Sequence, residues 1–364
     1  MSAPNPGSRP MQEFERVLDG SATDVASFQS DHKSLGTRVQ SFLHGNPTMV
    51  PVIVLILSVA VFGMIAGGKF FSPFNLSLIL QQVSVIGILA AAQSLVILTA
   101  GIDLSVAACM VLMSVIAGKL SLDLGFPASV SLAISFIGGT LAGAFNGFLI
   151  TRIKLPPFIA TLGTWNIYYA LLLWLSGAQS IRGEDLDKTA PLLKWFGNAF
   201  TIPTMWGNAR LTYGSILMVL VFAALWYMLN KTAWGRHVYA VGDDKEAAEL
   251  AGIRTDRTLI SVYALAGLVA AIGAWASIGR VGSISPNSFY EGNLQSITAV
   301  VIGGISLFGG RGSILGALFG ALIVGVFQSG LRLSNVDVLW QVFAIGWLII
   351  IAVALDQWIR KVSG

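Results

Sequence analysis

Long stretches free of Asp, Glu, Lys and Arg alternate with shorter polar connections along most of the chain. Ten such stretches run Val39–Gly68, Phe70–Ile102, Leu104–Gly118, Leu124–Thr151, Leu155–Ile181, Leu211–Asn230, Thr258–Gly279, Gly292–Gly310, Gly312–Leu331 and Val338–Leu355. One charge at mid-bilayer costs about 2.5 to 3.5 kcal/mol on insertion scales, and about 20 apolar residues cross the hydrocarbon layer, so the pattern predicts membrane-spanning helices. The expected fold class is all-α: a polytopic helical membrane protein with about ten transmembrane segments. At about 1.5 Å per residue Leu104–Gly118 barely reaches across some 30 Å, which predicts a broken or re-entrant segment there.

Residues 1–38 differ in kind. Pro, Ser, Asp and Gly are frequent, no apolar period develops, and no secretory cleavage pattern is present, so this part reads as a disordered cytoplasmic tail ahead of a transmembrane domain over 39–364. Two connections are long: an outer loop over 178–210, with Glu184, Asp185, Asp187, Trp195 and Trp206, and an inner loop over 231–257, rich in charges of both signs. Basic residues are commoner on the side that receives Arg152, Lys154, Lys231, Arg236, Lys245, Arg254 and Arg257 than on the side of Lys69, Lys119, Lys188 and Lys194. The positive-inside bias therefore predicts both termini in the cytoplasm, Lys154 and Lys245 inside, and Lys188 outside.

Composition removes the soluble alternatives. The 364 residues are 55% hydrophobic and only 11% charged, too few charges to cover a folded surface in water. Mean hydropathy is +0.75. The lone Cys109 excludes an internal disulfide and, within an apolar run, reads as packing. His32, His44 and His237 lie in polar flanks without ligand spacing, so no metal site and no catalytic constellation is expected.

In the inner loop, Asp243-Asp244-Lys245-Glu246 has the form of a helix start and Gly252-Ile253 that of a stop. A helix so short needs a surface to lie against, either its own membrane domain or a partner's groove. Asp103 sits between two apolar spans and needs hydrogen bonds, whether it lines a path or caps the short segment. Gln81, Gln82, Gln93, Asn146, Asn166, Gln295, Gln328 and Gln341 are neutral polar residues in or beside spans, suited to a sugar's hydroxyls or to bonding between helices. Asn166 beside Trp165 offers a polar and an apolar face together. Gly138-Gly139, Gly143 and Gly147, and then Gly316, Gly320 and Gly325, predict close helix contacts. Gly101-Ile102-Asp103-Leu104 and Gly304-Ile305-Ser306-Leu307 are locally alike, as duplicated halves would be.

Thr99-Ala100-Gly101-Ile102-Asp103-Leu104-Ser105, Asn146-Gly147 before Lys154-Leu155-Pro156-Pro157-Phe158-Ile159-Ala160-Thr161-Leu162-Gly163, Gly235-Arg236 leading into Glu246-Ala247-Ala248 and Ala251-Gly252-Ile253, and Gly303-Gly304-Ile305-Ser306-Leu307-Phe308-Gly309-Gly310-Arg311-Gly312-Ser313 occur in this order. Together they resemble the permease subunits of bacterial ABC importers for monosaccharides. Ala107 stands where that family commonly has glycine. The resemblance implies a homodimeric helical channel in the bacterial inner membrane, fed by a periplasmic sugar-binding protein and driven by a cytoplasmic ATPase that binds ATP and Mg. It implies that Asp243, Glu246, Ala247, Ala248 and Gly252 belong to the coupling helix.

No G-x-x-x-x-G-K-[ST] loop is present, so ATP hydrolysis is expected in another chain, with no cofactor in this one. The expected function is inward translocation of a neutral monosaccharide, of fructose or ribose type, by alternating access. Asp103, Asn146, Trp165, Asn166 and Gln295 are the substrate-path candidates. The alternative is an ion-coupled secondary sugar transporter, for which Asp103 would be the sole intramembrane carboxylate.

Overall fold

A computed structural model describes residues 48–360, so the tail over 1–38, the start of the first apolar stretch and the extreme C-terminus lie outside the described residues. Each of the ten apolar stretches carries one helix. The first four are α1 Met49–Ala66, α2 Pro73–Leu98, α3 Val106–Leu122 and α4 Ala128–Thr151. After α5 Pro157–Ser176 come a short α6 Gly183–Thr189, a 3-10 stretch over Pro191–Gly197, and an antiparallel hairpin of β1 Ala199–Thr204 and β2 Gly207–Thr212. Then follow α7 Tyr213–Lys231, α8 Ala233–Asp243, α9 Lys245–Leu250, α10 Thr255–Val281, α11 Gly292–Ile302, α12 Ile314–Leu333 and α13 Val338–Arg360.

Among the described residues, seven of the ten helices are long and apolar enough to cross a membrane; α3, α11 and the apolar part of α13, Val338–Ile351, are shorter. The short third segment is thus a helix begun late, after the chain unwinds between Leu98 and Val106. It is buried almost throughout, Cys109 included, at the centre of the core with α2 and α10. The all-α expectation needs one correction: the outer loop contains the two-stranded hairpin. Its sequence signal was the alternation Phe200-Thr201-Ile202, which ends at a Trp206-Gly207 turn.

Glycines bring the helices together. Gly139, Gly143 and Gly147 of α4 lie against the backbone of α10, at Gly267, Tyr263 and Ile260 respectively. Gly316 and Gly320 of α12 lie against Gly303 and Ala299, and Gly325 faces Val83 of α2. Gly138 faces only the side chain of Met113. In lipid, where apolar contact alone does not drive helices together, this close backbone approach supplies the packing.

α10 has an end at each side of the bundle. At its C-terminal end Gly279 lies against the backbone of Phe196 and Gly197, and Trp275 Nε1 donates to the Leu192 carbonyl at 2.9 Å. At its N-terminal end, Lys245 and Lys154 border one cavity with Asp256. Lys188, in α6, is at the hairpin end. The inner and outer loops therefore lie at opposite ends of the bundle, separated by about 40 Å of helix at about 1.5 Å per residue.

A Cβ at Gly143 would overlap the Tyr263 carbonyl, whereas Gly163 faces open space. We expect Gly143→Ala to lower stability by roughly 1 to 3 kcal/mol and Gly163→Ala to leave it unchanged or slightly raised. Thermal unfolding of the two purified variants in detergent measures the difference.

Candidate functional site

The chain breaks twice. At the first break α2 ends in a six-residue closure: Ala100 N donates to the Ile97 carbonyl at 2.9 Å and Gly101 N to that of Val96 at 3.1 Å. Ala100 takes φ +59°, a left-handed conformation that costs a residue with a side chain about 1 to 2 kcal/mol. Gly101 is required by space, because a Cβ there would lie 2.5 Å from the Tyr263 hydroxyl.

The second break repeats this closure. Gly304 N donates to the Val301 carbonyl at 2.9 Å and Ile305 N to that of Val300 at 3.2 Å, with Gly304 at φ +78°. The structural match sets Ala100 on Gly304 and Gly101 on Ile305, one residue out of register with the four-residue sequence match.

Between Leu98 and Val106 the backbone has no helix to satisfy it, and side chains of Gln93, Thr161 and Asn293 do so, while Asn146 holds the Ser105 hydroxyl. Gln93 is fully buried; with its amide turned to suit its neighbours, its nitrogen lies 3.0 Å from the Asp103 carbonyl oxygen and its oxygen 3.2 Å from Asp103 N. Thr161 Oγ1 of α5 accepts from Leu104 N at 3.2 Å and lies 3.0 Å from the Ile102 carbonyl oxygen. Asn293 of α11 donates through Nδ2 to the Leu104 carbonyl and accepts at Oδ1 from Ala107 N at 2.7 Å. The Asp103 carboxylate accepts from Ser105 N at 2.7 Å and Ser105 Oγ at 2.6 Å, and Asn146 Nδ2 of α4 donates to that hydroxyl at 2.8 Å. Left unsatisfied in an apolar interior, each backbone group would cost several kcal/mol.

Asp103 and Asn146 thus come together through Ser105, whose N and Oγ donate to the Asp103 carboxyl and whose hydroxyl accepts from Asn146. Gln93 was visible in the sequence among the neutral polar residues; Thr161 and Asn293 were not singled out. Their signal was an uncharged hydrogen-bonding side chain near the start of an apolar helix.

Trp165, Asn166 and Gln295 lie elsewhere. Trp165 stacks on Tyr169 with ring centroids 5.7 Å apart, and both meet Tyr290 edge-on. These aromatics line a narrow pocket with Ala107, Ala108 and Val111 of α3. Asn166 is exposed on α5, with Nδ2 donating to the Leu162 carbonyl at 3.0 Å, and Gln295 is half-buried on α11.

At the inner-loop end, the helix start shifts by one residue from the sequence reading. Asp243 closes α8, and Asp244 caps α9, its Oδ1 accepting from Ala247 N at 2.9 Å. The stop at Gly252-Ile253 is as read, with Gly252 at φ +82° and Ile253 N donating to the Ala248 carbonyl at 3.0 Å. Ala248 is corrected from an outward contact to an inward one: it is 4% exposed and packs on Val241 and Leu259. Glu246, Ala247 and Leu250, the last 91% exposed, form the free face.

The missed helix α8 joins this element to both breaks. Gly310 N donates to the Leu98 carbonyl at 3.0 Å, and a Cβ on Gly242 would collide with that carbonyl and lie 2.7 Å from Gly310 N. Tyr239 Oη donates to the Gly312 carbonyl at 2.9 Å, and Trp234 Nε1 to Ser261 Oγ at 2.8 Å. A cavity of about 800 Å³ opens beneath the first break, between α9, the end of α4 and the start of α10. Its rim holds a loose ion pair between Lys245 and Asp256 at 3.8 Å.

Seven helices long and apolar enough to cross a membrane, with one break stapled among them and a capped element bound at one end, define a multi-pass membrane protein. Residues 75–353 match the family described as branched-chain amino acid transport system / permease component, and the chain belongs to that family. It is 57% identical over 363 residues to the fructose import permease protein FrcC of Rhizobium meliloti, covering 100% of each chain. It is 36% identical to the ribose import permease protein RbsC of Bacillus subtilis, covering 84% of this chain and 90% of that one. It is 34% identical to the autoinducer 2 import system permease protein LsrC of Photorhabdus laumondii, covering 85% and 90%. No solved structure matches.

Leu at position 103 would leave Ser105 N–H and its hydroxyl without their acceptor, at about 1 to 3 kcal/mol, whereas Asn keeps an oxygen there. Asp103→Leu is expected to lower the melting temperature of the purified permease clearly more than Asp103→Asn. Equal melting temperatures would remove the role of Asp103 as acceptor for Ser105.

Proposed function

We propose that this chain is the membrane subunit of an ATP-driven importer that carries a neutral monosaccharide, fructose before ribose, across the bacterial inner membrane. The observation that carries the reading is the end-to-end 57% identity to a fructose import permease. ATP and Mg belong to a separate cytoplasmic ATPase; the other partners are a second copy of this permease and a periplasmic sugar-binding protein. The family match and the import-permease relatives lend no support to the ion-coupled reading.

The positive-inside bias supports placing α8, α9, Lys154 and Lys245 in the cytoplasm. The free face of Glu246, Ala247 and Leu250 then docks on the ATPase, while Ala248 keeps α9 attached to the permease. A push on α9 reaches α8, and Gly242 transmits it by backbone contact to the end of α2 and to the Gly309–Gly310 turn. Both breaks are thereby moved together, and rigid-body rocking of the flanking helices would change the side to which the path opens.

Uptake by vesicles containing permease, ATPase and binding protein tests the reading. Labelled fructose should accumulate only with ATP on the ATPase side, and fructose should compete better than ribose. Uptake that follows an ion gradient without ATP would overturn it. In the same assay Leu250→Asp should leave permease insertion normal yet reduce fructose uptake by about tenfold, since burying an unpaired carboxylate in the groove would cost more than 1.4 kcal/mol.

A further inference from the structure

After α10 ends, the chain turns back into the bundle without forming helix. Ile284 pairs with Ile181, just past the outer-loop end of α5, and both meet Gly118 near the C-terminal end of α3. By Gly292 the chain has reached Ala107 at the start of α3 and Leu89 of α2. From Gly118 to Ala107 the axis of α3 covers about 16 Å, and Leu89 stands about 14 Å before the end of α2, at about 1.5 Å per residue. Tyr290 touches Trp165 and Tyr169, which lie about 12 and 18 Å from the start of α5 by the same measure. These starting levels agree, because Pro157 of α5 and Thr99 at the end of α2 border the same inner-end cavity. Two membrane-crossing helices therefore set Tyr290 and Gly292 at one depth, near the middle of a hydrocarbon layer of about 30 Å.

This depth holds groups that lipid does not accept. Turn bonds close the descending segment, Ser288 N donating to the Ser285 carbonyl at 3.1 Å and Gly292 N to that of Phe289 at 2.8 Å, with Phe289 at φ +56°. Such irregular backbone is tolerated in the hydrocarbon region only where protein covers it or water reaches it. Asn287 and Glu291 are exposed, and Tyr290 is 62% accessible. Glu291 precedes α11 without capping it through its side chain, and among the described residues it joins no ion pair. Arg280 instead sets its guanidinium over the Phe289 ring, 5.7 Å from the centroid. A carboxylate at this depth needs water or an opposite charge. A second copy packed on this face would bring no such charge from the helices beside it, since neither α5 nor α11 contains Lys or Arg. Water meets the requirement.

We propose that the segment 285–291 lines the aqueous path of the sugar, with Tyr290 as a stacking surface and Asn287 and Glu291 as acceptors for the sugar's hydroxyls. The assignment rests on the import of a neutral sugar proposed above only for what travels along the path. A sugar ring has an apolar C–H face that an aromatic ring can cover, its hydroxyls need acceptors close by, and a carboxylate makes the stronger bond. Tyr290 stands edge-on to the stacked pair of Trp165 and Tyr169, at 66° and 70°, so those rings brace it while most of its surface stays accessible. Tyr169 Oη lies 3.5 Å from Asn287 Oδ1, which brings the amide to the same cluster. Gln295 follows Glu291 one turn along α11. The sugar lies on the open side of the rings, not in the narrow pocket behind them.

Cysteine labelling of the full-length permease, in vesicles with its ATPase and binding protein, tests the path. Asn287→Cys, Tyr290→Cys and Glu291→Cys should react with a charged methanethiosulfonate, presented to both faces of the membrane, about tenfold faster than the unmodified chain, whose buried Cys109 sets the background. Fructose with ATP should slow that reaction. In uptake, Tyr290→Ala and Glu291→Leu should each lower the fructose rate about tenfold with normal insertion, while Tyr290→Phe and Glu291→Gln keep most of it. Labelling no faster than background at all three positions would overturn the path. So would a disulfide that forms between two copies at position 290 or 291 in place of labelling, or full uptake by all four variants. Labelling itself needs neither sugar nor ATP. Fast labelling in vesicles that fail to take up fructose would therefore support the path and count against the fructose reading alone.

Discussion

A backbone that unwinds inside an apolar bundle must have its amides and carbonyls met by the protein itself, and the rest of this structure is arranged around that requirement. The segment between α2 and α3 is the demanding place. Gln93, Asn146, Thr161 and Asn293 reach it from four different helices, and none carries a charge. A charged side chain would need desolvation at each of these positions; an amide or hydroxyl meets a peptide group at far lower cost. The one ionisable side chain in this stretch, Asp103, accepts from the backbone and hydroxyl of Ser105 two residues on.

Stapling the break also ties four helices to one short stretch of chain, so displacement of that stretch is felt across the bundle. The route inward to it is equally direct. Gly242 leaves no room between α8 and the Leu98 carbonyl, and Gly310 closes the same point from the second break. Packed interiors respond to such contacts by switching between arrangements rather than by deforming smoothly, so a shift of α8 would reach both breaks together. Lipid adds the complementary freedom, because the glycine-lined contacts of α4 on α10 allow close approach without locking side chains together.

Much of this was legible before folding. The ten apolar stretches each carry a helix, the shortened third was visible from its length, and the glycine spacings of α4 and α12 foretold backbone contact. Asp103 stood out as a polar group that an apolar span must satisfy, and Gln93 was one of eight neutral polar residues in or beside spans. Other features escaped because their meaning depends on partners far along the chain. Thr161 and Asn293 are ordinary residues until they meet Leu104, and Ala248 looks like its neighbour Ala247 until Val241 and Leu259 cover it. The hairpin was hidden because an apolar run beginning at Leu211 reads as the start of a helix.

The sequence by itself determined that the chain lives in a membrane, how often it is apolar enough to form a buried helix, and which family it resembles. These follow from composition and local spacing, since the bilayer charges each residue for its polarity wherever it sits along the helix. Tertiary structure alone decided which polar groups share a break, which face of α9 is free, and the one-residue offset between the two closures. Those are matters of pairing between distant segments, and a hydrogen bond or a glycine contact belongs to two positions at once, of which the sequence shows only one at a time.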